Sequence, residues 1–155
     1  MAVTLEQVRA LLSPDEPNYQ RAARLGSRAL PHLRTLVRGS NQGLASKAAY
    51  LASLINDDRA AEVLADAAKS PVAVVRIAAA GGARNLKRPA VVGVISRLLN
   101  DTHLSVRKMA IKAAADSSNS ALLAQLGDIV NKDPSPANRA LASHALSKTR
   151  GGRIA

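Results

Sequence analysis

The residues able to do chemistry are few. His32, His103 and His144 are the only imidazoles. They fall far apart, with no carboxylate at metal-ligand spacing, so they read as surface or turn residues rather than a metal set. There is no cysteine, which excludes disulfides, thiolate zinc sites, iron–sulfur ligation and cysteine nucleophiles. No glycine loop runs into Lys-Ser or Lys-Thr to cradle a phosphate, and no glycine–serine elbow is present. Asp57-Asp58 is an adjacent carboxylate pair that a helix start accounts for. On these grounds the chain is expected not to be an enzyme, with no catalytic residue, metal or cofactor. What remains is cationic: 22 Lys and Arg face 11 Asp and Glu, a net charge of +11. Such an excess favours anionic partners, either carboxylates or phosphates.

The elements that hold these cations follow from composition and spacing. Hydrophobic residues make up 47% of the 155, with no Phe or Trp and only Tyr19 and Tyr50 as aromatics. A core of aliphatics and alanine suits closely packed helices far better than a sheet. Leu30, Leu33, Leu36 and Val37 share one helical face. Stepping by 31 residues gives Ala61, Leu64, Ala67 and Ala68, then Val92, Ile95, Leu98 and Leu99, then Leu123, Leu126, Ile129 and Val130, all apolar. A second helix recurs with the same step in Leu44, Val75 and Val106, in Ala48, Ala79 and Ala110, and in Ala52, Ala83 and Ala114. The last unit slips by one residue near Lys132, and an earlier unit begins at Leu5, Val8, Leu11 and Leu12. Five units of two helices are predicted, an all-α stack.

The punctuation agrees. Thr4 with Gln7 has capping-box spacing, and Ser13 with Glu16 repeats it ahead of the second helix. Ser70-Pro71 and Ser135-Pro136 place a hydroxyl before a first-turn proline. Gly39 to Gly43 reads as a turn, and Gly151-Gly152 as the end of the last helix. Gly81-Gly82 inside a helix is costly and reads as close packing, as a smooth groove floor or as a hinge. The N-terminus shows no secretory signal and no apolar run reaches the length of a membrane span, so a cytoplasmic, non-membrane protein is expected.

Helical pairs of this length with Asp-x4-Val-Arg-x2-Ala resemble HEAT repeats and their shorter bacterial relatives in phycobilisome lyases. The match is carried by Asp101 to Arg107 with Ala110, by Val75-Arg76 with Ala79, and by Asp133 to Arg139, where Asn138 replaces the usual Val. The unit at Gly39 departs, with Gly39 for Asp and Ala45 for Arg. The resemblance implies an α-solenoid over 1–150, with repeats at about 3–27, 28–56, 57–86, 87–118 and 119–149 and a flexible basic tail over 151–155. It also implies that Asp101, Asp133, Arg76, Arg107 and Arg139 form a structural ladder between repeats, and that Pro31 kinks a first helix. HEAT-like DNA glycosylases share the fold, but the tryptophan and concave Asp that would carry their activity are missing here. Lyase or hydroxylase relatives imply His-Glu pairs or a Cys/Asp set, which are missing too.

In such stacks the second helices line the concave side, where a repeat protein usually binds. Positions two, five and six after the Val column are expected to be exposed there. They read Arg21, Ser46, Ile77, Lys108 and Ala140; Arg24, Ala49, Ala80, Ile111 and Ser143; and Leu25, Tyr50, Gly81, Lys112 and His144. Four of the fifteen are Lys or Arg and none is acidic, about twice the chain-wide basic share. Arg84, Lys87 and Arg88 cluster at a turn, which helix C-termini and solvation explain. The candidate partner-binding residues are therefore Arg21, Arg24, Tyr50, Ile77, Arg84, Lys108, Ile111, Lys112 and His144. The expected function is a protein–protein adaptor holding an acidic segment; the alternative is sequence-blind binding of duplex nucleic acid by phosphate contacts. The oligomeric state is not legible.

Overall fold

The helices form where apolar residues recur at helical spacing, and side-chain caps at Thr4, Asn18, Asn41, His103 and Asn119 start several of them. The computed structural model describes residues 2–154, with side chains for 2–149. Among them are ten helices: α1 (Leu5–Leu12), α2 (Tyr19–Ala23), α3 (Leu30–Arg38), α4 (Gln42–Ser53), α5 (Arg59–Ala68), α6 (Ala73–Asn85), α7 (Val92–Leu99), α8 (Leu104–Ser117), α9 (Ser120–Lys132) and α10 (Pro136–Ile154). Short 3₁₀ turns at Gly26–Ala29 and Pro89–Val91 lead into α3 and α7. The helix stop expected at Gly151-Gly152 is corrected, because α10 runs through both glycines to Ile154; the basic tail expected over 151–155 lies outside the residues described with side chains. Among the described residues no helix is long and apolar enough to cross a membrane.

Capping fixes several of the helix starts. Thr4 and Gln7 form the reciprocal box ahead of α1, Gln7 N donating to Thr4 Oγ1 at 3.1 Å and Thr4 N to Gln7 Oε1 at 2.9 Å. Ser135 Oγ accepts from Asn138 N at 3.2 Å, as its place before Pro136 suggests. At α2 the sequence reading is corrected. Asn18, not Ser13, caps the helix, its Oδ1 accepting from Arg21 N at 3.0 Å, while the Ser13 hydroxyl turns back onto Arg9 O at 2.7 Å. Pro31 is also corrected: it stands in the first turn of α3, where its missing N–H costs nothing, and kinks no helix.

The helices pair in sequence, α1 with α2 through to α9 with α10, and the pairs stack into a HEAT-like α-solenoid. Of the sixteen apolar first-helix positions, all but Val92, Ile129 and Val130 are buried. The first helices α3, α7 and α9 present Leu, Ile and Val, and α5 alanines around Val63 and Leu64, whereas the buried faces of α4, α6 and α8 are mostly alanine, with Gly82 among them. Small side chains let neighbouring second helices approach closely. The α4–α6 and α6–α8 contacts are indeed more extensive than those among α3, α5, α7 and α9, so the stack closes toward the second helices and that side is concave. Gly82 shows how tight the seam is: a Cβ there would lie 2.9 Å from Leu64 Cδ2, 3.1 Å from Ser53 Cβ and 3.5 Å from Ala49 O. Close packing is therefore the reason for Gly82; a Cβ on Gly81 would meet nothing within 4 Å.

Candidate functional site

Any partner face must be counted after the charges that hold the stack together. Arg76 donates from Nε and Nη2 to Asp101 at 2.8 and 3.1 Å, and from Nη1 to Ser70 O at 2.9 Å. Arg107 repeats this, with 2.8 and 3.2 Å to Asp133 and 3.1 Å to Asp101 O. Each aspartate also accepts a backbone N–H two residues on, from His103 at 2.9 Å and Ser135 at 2.8 Å. Burial pushes both carboxyls up, but the arginine fork and the backbone donor outweigh it and hold both below the usual 3.8. Asn138, buried in the Val column, satisfies its amide by donating to Leu104 O at 3.3 Å.

Where Gly39 and Ala45 break the ladder, another pairing replaces it. Arg34 and Arg38 of α3 reach Asp66 of α5 at 2.6 and 3.0 Å. Burial raises the Asp66 carboxyl and the two guanidiniums more than offset this, so its pKa is also lowered. On the opposite edge Asn85 donates to Ser53 Oγ at 3.2 Å, and Arg88 reaches back to Asp58 and Asn56. Arg84 reaches forward to Asp116 at 2.8 Å. The Arg84–Arg88 cluster thus clips neighbouring repeats. Arg84, a candidate partner contact by sequence, is held in an exposed ion pair between α6 and α8.

The three expected groove positions separate by angle. At about 100° per residue, positions two and six lie about 40° apart on the second helix, while position five lies toward the next repeat. Arg21, Lys108 and Ala140 at position two are exposed, with Ser46 and Ile77 half-buried. At position six Tyr50 and His144 are exposed, and Leu25, Gly81 and Lys112 half-buried. At position five Ala49, Ala80 and Ile111 are each 0% exposed, because they face the neighbouring second helix; only the end residues Arg24 and Ser143 reach solvent. Ile111 is therefore corrected from partner contact to core.

Arg21 and Arg24 accordingly lie at one end of the face, and Lys108, Lys112 and His144 at the other. The layers between offer Ser46, Tyr50, Ile77 and Gly81. Tyr50 packs edge-on against Tyr19, ring centroids 4.7 Å apart, and burial, with Tyr50 beside it, raises the Tyr19 hydroxyl pKa. At the C-terminal end a cleft of about 330 Å³ opens between α8 and α10, lined by Ala115, Leu141 and Ala145 and by Lys112, His144 and Lys148, with the Arg84–Asp116 pair at its edge. Lys148 was not among the sequence candidates; its 36-residue offset from Lys112 hides it from a 32-residue column. The other histidines are structural. His32 Nε2 lies 2.8 Å from Val3 O, and His103 Nδ1 accepts from Ser105 N at 3.1 Å at the start of α8.

A stack of helical hairpins with an Asp–Arg ladder defines the class. The family model for HEAT repeats matches residues 68–147, more than half of the chain, and the chain belongs to that family. Its fold is similar to that of a chain in the structure of the complex of CpcE and CpcF of phycocyanin lyase from Nostoc sp. PCC7120, at 24% sequence identity and a TM-score of 0.73, over 91% of this chain and 96% of that one. A search of curated proteins finds no significant match. The neighbour corrects the expectation that the chain is not an enzyme: this fold occurs in a lyase complex, so the missing nucleophile and metal constellations do not exclude an enzyme. At that identity the likeness is one of fold, a fold that suggests a protein-interaction module.

Proposed function

We propose that the chain is a HEAT-repeat interaction module whose concave face holds an acidic segment of a partner protein. The observation that carries this reading is the polarity of the face. Cations without an ion-pair partner among the described residues stand at its two ends, Arg21 and Arg24 on one and Lys108, Lys112 and Lys148 on the other, around a neutral middle bearing Tyr50 and Ile77. A fitting segment carries carboxylates toward its ends and an apolar stretch at its centre. Duplex nucleic acid, with phosphates at regular short intervals, would call for cations in every layer; α4 and α6 supply none at positions two and six. The neighbour's presence in a complex of two proteins also favours a protein partner.

The test is capture from the native host, with and without nuclease, by the wild-type chain and by the Lys108→Glu/Lys112→Glu variant. Nuclease-resistant capture of a protein with an acidic segment, lost in the variant, is the expected result. Capture that survives the charge reversal would place the binding face elsewhere. Capture lost to nuclease, with a log–log salt slope of several units on random duplex, would favour phosphate binding.

A further inference from the structure

The two ends of the stack differ in a way that the ladder can use. Arg76 and Arg107 share one arrangement: Nη1 on a carbonyl of their own turn, Nε and Nη2 on the next repeat's aspartate. Arg139 in α10 keeps the first contact, Nη1 donating to Asp133 O at 2.7 Å. Its Nε and Nη2 have no partner among the described residues, and no Asp or Glu follows Asp133. The guanidinium is therefore held in the ladder orientation, and by equivalence its fork points past the last repeat. Val130 and Leu146 of the same hairpin are half-buried, packed against the core.

At the other end, the turn between α1 and α2 occupies the place in its hairpin that Asp101 and Asp133 occupy in theirs. It carries Asp15 and Glu16, both exposed and without an ion-pair partner among the described residues. Residues 1–16 hold three carboxylates against one arginine, while residues 134–155 hold four basic residues and no acid. The stretch that ends in the first turn is thus acidic and the stretch after Asp133 basic, although the first repeat as a whole is neutral, Arg9, Arg21 and Arg24 balancing Glu6, Asp15 and Glu16. Half-buried Leu11 stands in the last turn of α1, just before the acidic turn.

We propose that the C-terminal end face of one copy docks on the N-terminal hairpin of a second, the open fork of Arg139 taking the carboxylate of Asp15 or Glu16 as one more rung. A planar guanidinium with one edge already fixed loses little freedom on accepting a bidentate carboxylate. The contact joins unlike surfaces, so each added copy leaves a free head and a free tail, and growth does not stop at a dimer. Repulsion between two cationic copies is screened at physiological ionic strength, where the Debye length is about 8 Å.

Sedimentation velocity of the full chain at that ionic strength, over a wide concentration range, tests this. Its mass is expected to climb above the monomer's 16.1 kDa with no plateau at a dimer. Arg139→Glu and Asp15→Lys/Glu16→Lys are each expected to weaken association roughly tenfold or more, the worth of a charge-assisted pair at an interface. An equimolar mixture of the two variants restores it, because the reversed tail then meets the reversed head. Melting curves matching the parent show that both variants are folded, including the turn variant, whose new lysines lie next to the Lys47 contact with Pro14 O at 2.7 Å. A monomer at every concentration, a dimer plateau, or association that neither variant weakens overturns the proposal.

Discussion

Gly81 and Gly82 are adjacent in α6, yet alanine should act on them in opposite directions. Both substitutions gain about 1 kcal/mol of helix propensity, since both sites are helix interior. At Gly81 nothing lies within 4 Å of the new methyl, so the gain is kept and the melting temperature should rise by about 2–4 °C for a chain of this size. At Gly82 the methyl would sit 2.9 Å from Leu64 Cδ2 and 3.1 Å from Ser53 Cβ. Leu64 of α5 is fully buried and Ser53 of α4 nearly so, so neither can swing into solvent, and α6 must move away from both helices by a few tenths of an ångström. Overpacking of this kind costs about 1–3 kcal/mol, which outweighs the propensity gain over most of that range. The expected outcome is a stabilised Gly81→Ala and a Gly82→Ala about 1 kcal/mol less stable than the parent, read by urea unfolding followed by circular dichroism. Equal stabilisation by both would refute the claim that a close α4–α6 seam sets the curvature.

Arg107→Ala leaves the Asp133 carboxylate, whose side chain is 2% exposed, without its fork, and a loss of about 3–5 kcal/mol is expected on chemical denaturation; Arg76→Ala should cost less, because Asp101 is 10% exposed. Ile111→Ala should destabilise by about 2–4 kcal/mol and leave partner capture by the surviving folded fraction unchanged, as a core residue requires. Asp66, Asp101 and Asp133 have lowered folded-state pKa values, so the stability they contribute is complete above their unfolded value of about 3.9 and is lost as pH falls through the folded values. Melting temperature should therefore hold from neutral pH down to about 5 and drop steeply below about 4, with Asp133→Asn flattening that drop.

The stack was legible because its signal is repetition. Leu33, Leu64, Ile95 and Leu126 recur at 31 residues and each is buried, and the ladder aspartates stand where the family pattern puts them. What failed depends on the neighbouring repeat. Position five carries Arg24 and Ser143 in the end repeats but Ala49, Ala80 and Ile111 between them; that change of character was the available sign that the column faces an adjoining helix. Arg84 looked like a free cation because its partner, Asp116, is 32 residues away on another element. Ser13 lost the α2 cap to Asn18, which stands immediately before the helix, whereas the Ser13–Glu16 spacing ends short of it. The Asp66 pairing was hidden for a related reason: it links first helices, outside the turn where the family ladder lies.

The same alanine seam that bends the stack limits what the proposed face can use for binding. Aromatic side chains usually anchor protein interfaces, and here one of the chain's two tyrosines is partly spent on packing against the other. Exposed ion pairs contribute about 0–1 kcal/mol each, and every lysine that engages loses side-chain entropy. Charges at the two ends therefore steer and register a partner more than they hold it. Affinity on this face has to come from apolar burial over Tyr50 and Ile77, and selectivity from the fixed span between the Arg21–Arg24 end and the Lys108–Lys112 end. If the close Ala packing of the second helices holds that span constant, a partner whose acidic residues are spaced for a different separation would satisfy one end of the proposed face and leave the other solvated.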